Sequence, residues 1–185
     1  MRKSFVILLI FSIMLGVCGT GCLQSEEERE RANMKKIEEA MSSVCQGQGV
    51  AEAATYTKTS GLHPIIVDAD FAPFDYREEW LPKSIAETQL VACVVGYNRF
   101  WENYSTCGGY SRNLYKGPYY TVLSQRHYMN AQLREAKTGK LIQEIKIYGD
   151  PPRCPVSIES TEDIVRGDCV TDDQINNVLQ SYVVV

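Results

Sequence analysis

The N-terminal segment decides the compartment in which this chain folds, and the compartment decides what its cysteines can do. Arg2 and Lys3 form a short basic head, Phe5 to Met14 is almost unbroken apolar sequence, and Leu15-Gly16-Val17-Cys18-Gly19-Thr20-Gly21-Cys22 closes the segment. A basic head, a short apolar core and small residues behind it make an export signal, removed from the working protein. The apolar run falls short of the ~18 residues that cross a bilayer, so a permanent span is the weaker reading.

The closing residues resemble the signal of bacterial lipoproteins, in which a small residue precedes the cysteine that receives lipid. Cys18 has Leu15 three positions before it, but bulky Val17 stands at the cut; Cys22 follows Gly21 and Thr20, with Gly19 where a leucine is usual. A small residue at the cut is the stricter steric demand, which selects Cys22. The division that follows is 1–21 signal peptide, 22–44 lipid anchor and spacer, and 45–185 a single domain. The resemblance implies a diacylglyceryl anchor, and two acyl chains hold a protein stably at a membrane where one does not. Cleavage without lipidation would leave Cys22 an ordinary thiol.

What remains after the signal is roughly 160 residues, enough for one domain with its own core and a short appendage. Lys+Arg 19 against Asp+Glu 23 gives a formal net charge of -4. No basic footprint for nucleic acid follows from that balance. The acid excess is partly local, in Glu26-Glu27-Glu28, where Ser25 and Glu28 have the spacing of a helix capping box. Met34, Ile37, Met41 and Val44 recur at intervals of three and four, a narrow apolar stripe that predicts a spacer helix docked on the domain. A coiled-coil seam is the alternative, over about two heptads. Cys45-Gln46-Gly47-Gln48-Gly49 ends the helix.

The rest reads as α+β. Pro64 to Val67 is a short strand; Leu90 to Val95, apolar at successive positions, is a central one. Tyr119 to Ala136 holds a long strand with Met129, Ala131 and Leu133 on one face. Lys137-Thr138-Gly139-Lys140 turns it back into Leu141 to Tyr148, and Asp172-Asp173 opens a last helix with Ile175, Val178, Leu179 and Tyr182 on one side. The expected architecture is a mostly antiparallel sheet of about four strands, helices packed on one face, stapled by disulfides.

An exported chain meets oxidising conditions, so its cysteines read as disulfides first. Cys45, Cys93, Cys107, Cys154 and Cys169 remain after processing, an odd number whose connectivity spacing does not decide. A local Cys93–Cys107 bridge, with Cys93 at a strand end and Cys107 in the loop beyond, is the first expectation. Cys154–Cys169, with Cys45 left over, is an open alternative. No Cys-x-x-Cys occurs and His63 and His127 lie in different contexts, so no zinc or other metal site and no cofactor is expected.

Cys45-Gln-Gly-Gln-Gly-Val50, Gly61-Leu62-His63-Pro64-Ile65-Ile66-Val67, Gln89 to Val94, Ala136 to Lys140 and Gly149-Asp150-Pro151-Pro152-Arg153-Cys154-Pro155 together resemble an uncharacterised family of exported prokaryotic domains. The resemblance covers most of 45–185 and implies an exported domain without implying an activity. It also implies four cysteines, Cys45, Cys93, Cys107 and Cys154, and with them a Cys45–Cys154 pair; Cys169 stands where a proline is expected.

The candidate binding surface is a run rich in aromatics, with Tyr97, Phe100, Trp101, Tyr104 and Tyr110 followed by Tyr115, Tyr119 and Tyr120 among glycines, expected to form a loop. Tyr and Trp give large contact area at small entropic cost, so such a loop fits an envelope protein or a glycan partner. Rings covering one end of the sheet would be the plainer reading. No catalytic residues are expected: His63 and His127 read as structural, and Gly149-Asp150-Pro151-Pro152 reads as a turn without the spacing of a phosphate loop. Asn103-Tyr104-Ser105 has the glycosylation pattern, discounted behind a bacterial signal. The expectation is a lipid-tethered, extracytoplasmic binding module; the alternative is an unrecognised hydrolase or thiol enzyme, with Cys169 as the thiol.

Overall fold

The computed structural model describes residues 25–69, 77–110, 120–156 and 164–185. The signal segment, Cys18 and Cys22 lie outside them, as do Tyr115 and Tyr119. The chain divides into two units, Met1–Asn33 and Met34–Val185. In the first, Ser25 begins helix α1 (Glu26–Met41): its Oγ accepts the N–H of Glu28 at 3.3 Å, and Arg31 pairs with Glu27 at 2.6 Å one turn away. Such an exposed i,i+4 pair adds only about 0.3–0.5 kcal/mol, so the acidic first turn marks a solvated helix start.

The second unit holds a mixed sheet of β1 (Ile65–Ala69), β2 (Leu90–Tyr110), β3 (Tyr120–Glu135), β4 (Leu141–Tyr148) and β5 (Ile164–Arg166), followed by α2 (Asp172–Val183). Among the described residues the order is β1-β2-β3-β4, with β5 also on β3. β2–β3 and β3–β4 are antiparallel; β1–β2 and β5–β3 are parallel. The α+β class stands, but the sheet is mixed and has more strands than the four expected. Three-residue β5 carries no periodicity from which to read it. Its partners are Leu123, Ser124 and Gln125, beyond the point where β4 ends against Tyr128, so β4 and β5 occupy one edge of β3 in succession.

The helices do not pack on one face. Leu90, Ala92 and Val94 of β2 join Met129, Ala131 and Leu133 of β3 beneath Ile175, Leu179 and Val183 of α2. The alternate positions Val91 and Cys93, with Ile66 of β1, pack on Ile37, Met41 and Val44 from the other side. A strand apolar at successive positions has to be covered twice, which is the physical reason for the sandwich. The stripe read from the sequence is thus a core face: Ile37 and Met41 are fully buried, and Val44 sits in the 3-10 turn Ser42–Gln46 that ends at left-handed Gly47.

The disulfides are Cys45–Cys93 and Cys107–Cys154, with Cα–Cα distances of 5.5 and 5.4 Å. These are the four cysteines the family resemblance implied, in different pairs. Cys93–Cys107 is excluded because both residues lie on the one strand β2, whose rise of ~3.3 Å per residue carries them tens of ångströms apart. Cys45, at the end of the spacer, meets Cys93 across the α1 face of the sheet, which removes Cys45–Cys154. Cys154–Cys169 is removed because Cys154 is bound to Cys107; Cys169 takes part in neither disulfide.

Candidate functional site

The aromatic run is strand, not loop. β2 continues to Tyr110, broken by register shifts between Val95 and Phe100, Asn103 and Ser105, and Cys107 and Tyr110. Bulges of this kind bend a strand and re-aim its side chains, so strict alternation fails here. The outer halves of β2 and β3 have only a small core of their own, where Cys107, Tyr110 and Val122 are buried. The Cys107–Cys154 disulfide and a hydrogen bond from the Tyr110 hydroxyl to the Pro155 carbonyl at 2.8 Å fasten this end.

The candidate residues therefore separate. Tyr110 is buried and structural. Trp101 is half-buried, edge-on to the His127 ring at 5.0 Å, with the Arg166 guanidinium 5.3 Å from its own ring centre. Tyr97 belongs to β2, and its side chain lies outside the described set. Phe100 and Tyr104 face a ladder that alternates rings and cations. Phe100 stacks on Tyr128 at 5.4 Å, and Tyr128 approaches Tyr148 at 6.3 Å. The Lys146 ammonium lies 3.7 Å from the Tyr128 ring centre and also pairs with Glu102. Arg126 lies 4.7 Å from the Tyr148 ring and 5.9 Å from that of Tyr104, itself 51% exposed. The hydrogen bond to Glu102 raises the Lys146 pKa, outweighing what partial desolvation takes away, so Lys146 stays charged at neutral pH.

Beside Tyr104 a cleft of about 490 Å³ opens between the segment after β4 and the segment after β5. Asp150, Pro151, Pro152 and Arg153 form one wall and Arg166, Gly167 and Asp168 the other. The walls touch at two glycines. A Cβ at Gly149 would lie 2.3 Å from the Asp168 carbonyl oxygen, and one at Gly167 would lie 2.4 Å from that of Asp150. Both contacts are with backbone, so no side chain fits at either position. Arg126 Nε donates to the Gly149 carbonyl at 2.6 Å. From the other direction, Thr171 and Gln174 form the capping box of α2, and Gln174 Nε2 donates to Asp150 Oδ1 at 2.9 Å. The helix cap, the strand end and the disulfide thus hold the cleft preformed, the state in which ligand sites are usually found.

His127 lies beneath this end of the sheet, fully buried, with Nδ1 accepting the N–H of Val170 at 2.9 Å. That bond puts the proton of the neutral ring on Nε2, which is buried. Burial lowers the imidazole pKa, and the Gly96 backbone pulls weakly the other way. His63, also buried, donates from Nε2 to the Thr59 carbonyl at 2.9 Å and meets the Gln89 side-chain amide through Nδ1. It ties the chain ahead of β1 to the residue ahead of β2. Neither histidine lines the cleft.

Sequence reasoning passed over Arg153, Arg166 and Asp168. The available cue was the pair of Gly-Asp dipeptides, Gly149-Asp150 and Gly167-Asp168, which become the two facing walls. Among the described residues no group of three His, Cys, Asp or Glu side chains converges to hold a metal ion, and no helix is long and apolar enough to cross a membrane. Comparison with family models, curated proteins and solved structures gave no match.

Proposed function

We propose that this chain is a lipid-tethered, extracytoplasmic binding module, anchored through Cys22 and presenting the outer half of its sheet to another component of the cell envelope. The observation that carries the reading is the ladder Phe100–Tyr128–Tyr148–Tyr104, interleaved with Lys146 and Arg126 on one face. Each ring pair or cation–ring contact contributes about 0.5–1.5 kcal/mol, so the ladder holds its own geometry before a partner arrives. Rigid aromatic surface with cations beside it is the composition of recognition patches. The two disulfides accord with an oxidising compartment, and the signal-like N terminus supplies the route there. The resemblance to exported prokaryotic domains agrees with this setting and rests on the motifs quoted for it.

An enzyme is the weaker reading. The cleft walls bring together arginine, aspartate, proline and tyrosine, and the groups there that could serve as acid or base, Asp150 and Asp168, are both exposed. The test is crosslinking in intact producing cells, with recovery through a C-terminal tag. Trp101 packs on His127 and is unsuitable to mutate, so Tyr104→Ala and Tyr148→Ala are combined. A defined crosslinked species should disappear in that variant while its melting temperature stays within a few degrees of the parent's. A pattern unchanged by the substitutions would remove the ladder as the binding face.

A further inference from the structure

We infer that the cleft beside Tyr104 is a subsite for a carboxylate-bearing sugar unit, an inference that rests on the binding-module reading and names its ligand class. The cavity volume of about 490 Å³ lies within the ~300–1,000 Å³ of small-ligand sites and suits one or two sugar rings. Arg153 and Arg166 both line the cleft, from different segments of the chain, exposed and neither in an ion pair with a described carboxylate. A guanidinium binds a carboxylate through two parallel N–H donors, so this pair is matched to a planar anion. Arg166 is steadied over the Trp101 ring at 5.3 Å and so loses less freedom on binding.

The remaining lining narrows the anion. Asp150 and Asp168 stand in the same cleft. A phosphate carries nearly two charges at neutral pH and would be repelled by two neighbouring carboxylates. A singly charged sugar acid tolerates them, because its hydroxyls donate to aspartate oxygens while its carboxylate meets the arginines. Asp150 is already oriented for this: Oδ1 accepts from Gln174, and the second oxygen remains available. Tyr104, half-exposed, supplies a flat ring for the C–H face of a pyranose, and Pro151 and Pro152 add apolar lining. The glycine contacts at Gly149 and Gly167 fix the spacing between the walls, so the cleft does not have to be assembled by the ligand.

The experiment titrates the disulfide-intact chain with trigalacturonate and 3′-sialyllactose by calorimetry, against neutral maltotriose and lactose and the zwitterionic dipeptide Ala-Ala. At least one acidic oligosaccharide should bind saturably with Kd below about 1 mM, at least about tenfold more tightly than its neutral counterpart. Arg153→Gln and Arg166→Gln should each weaken it about tenfold or more, with unaltered thermal melts. Arg153→Gln is the cleaner variant because Arg166 also touches Trp101. Absence of binding by both acidic probes, equal binding of the neutral ones, tighter binding of Ala-Ala, or an unaffected Arg153→Gln protein would each overturn the inference. The binding-module reading fails separately: failed sugar titrations together with a crosslinked species lost in Tyr104→Ala/Tyr148→Ala remove only the sugar site, whereas a crosslinking pattern unchanged in that variant removes the ladder as the binding face.

Discussion

At the residue scale, His127 couples the core to pH. The imidazolium would lose the bond its Nδ1 accepts from Val170 and would be cut off from water, so burial holds its pKa below the ordinary 6.5. Between those two values the unfolded chain binds the proton and the folded chain does not, so stability falls as pH drops below about 6.5. Asp68 works in the opposite sense. Desolvation raises its carboxyl above the ordinary 3.8, so it costs the folded state most above its folded pKa and relieves that cost as acid protonates it. Urea unfolding at pH 7.5 and pH 5.5 should therefore give a lower midpoint at pH 5.5. His127→Gln should lose about 1–3 kcal/mol at pH 7.5 through the disturbed Val170 bond and narrow the gap between the two midpoints. Asp68→Asn should leave that gap unchanged or wider. A gap that His127→Gln does not alter would assign the pH dependence to another group.

At the element scale, the two disulfides divide their work along β2. Cys45–Cys93 joins the spacer to the main core, where Cys93 is buried. Cys107–Cys154 fastens the outer strand halves to the segment that forms one cleft wall. Their sequence separations of 48 and 47 residues are nearly equal, so chain entropy assigns each about 4 kcal/mol. Their removal should nevertheless have different consequences. Cys45→Ser/Cys93→Ser should lower the melting temperature and leave crosslinking by the folded protein intact. Cys107→Ser/Cys154→Ser should abolish crosslinking in molecules whose main core still shows native circular dichroism, because few buried contacts otherwise hold that end. Retained crosslinking in the second variant would mean that the ladder and cleft stand without their staple.

The same strand shows what could be read in advance. The inward residues of β3, the β3–β4 hairpin at Lys137–Lys140 and the apolar side of α2 follow from periodicity, because each has one buried face. The stripe on α1 was legible for the same reason. The extent of β2 was not: its outer half carries Tyr, Asn, Glu, Ser and Gly among its apolar residues, and three register shifts destroy the alternation. The extent of β2 also decides the cystine pairing, since a loop between Cys93 and Cys107 would permit a local disulfide that a continuous strand forbids. The cleft escaped notice because its residues come from two segments joined only by tertiary contact. Gly149 and Gly167 are conspicuous only once the backbones they bring together are known.

At the scale of the whole molecule, the proposed lipid on Cys22 would tether the stapled domain and its preformed recognition surface to a membrane. The formal net charge of -4 gives no general attraction to anionic surfaces, so cationic recognition depends on the local set Arg126, Lys146, Arg153 and Arg166. Display of that surface would require the proposed export, processing and oxidation of the chain. Non-reducing peptide mapping by mass spectrometry of protein taken from the membranes of producing cells tests that proposal most directly. The proposal predicts an N-terminal peptide that begins at Cys22 and carries a diacylglyceryl group, together with linked peptides joining Cys45 to Cys93 and Cys107 to Cys154. An intact signal segment with these cysteines reduced, or a peptide joining Cys93 to Cys107, would contradict it.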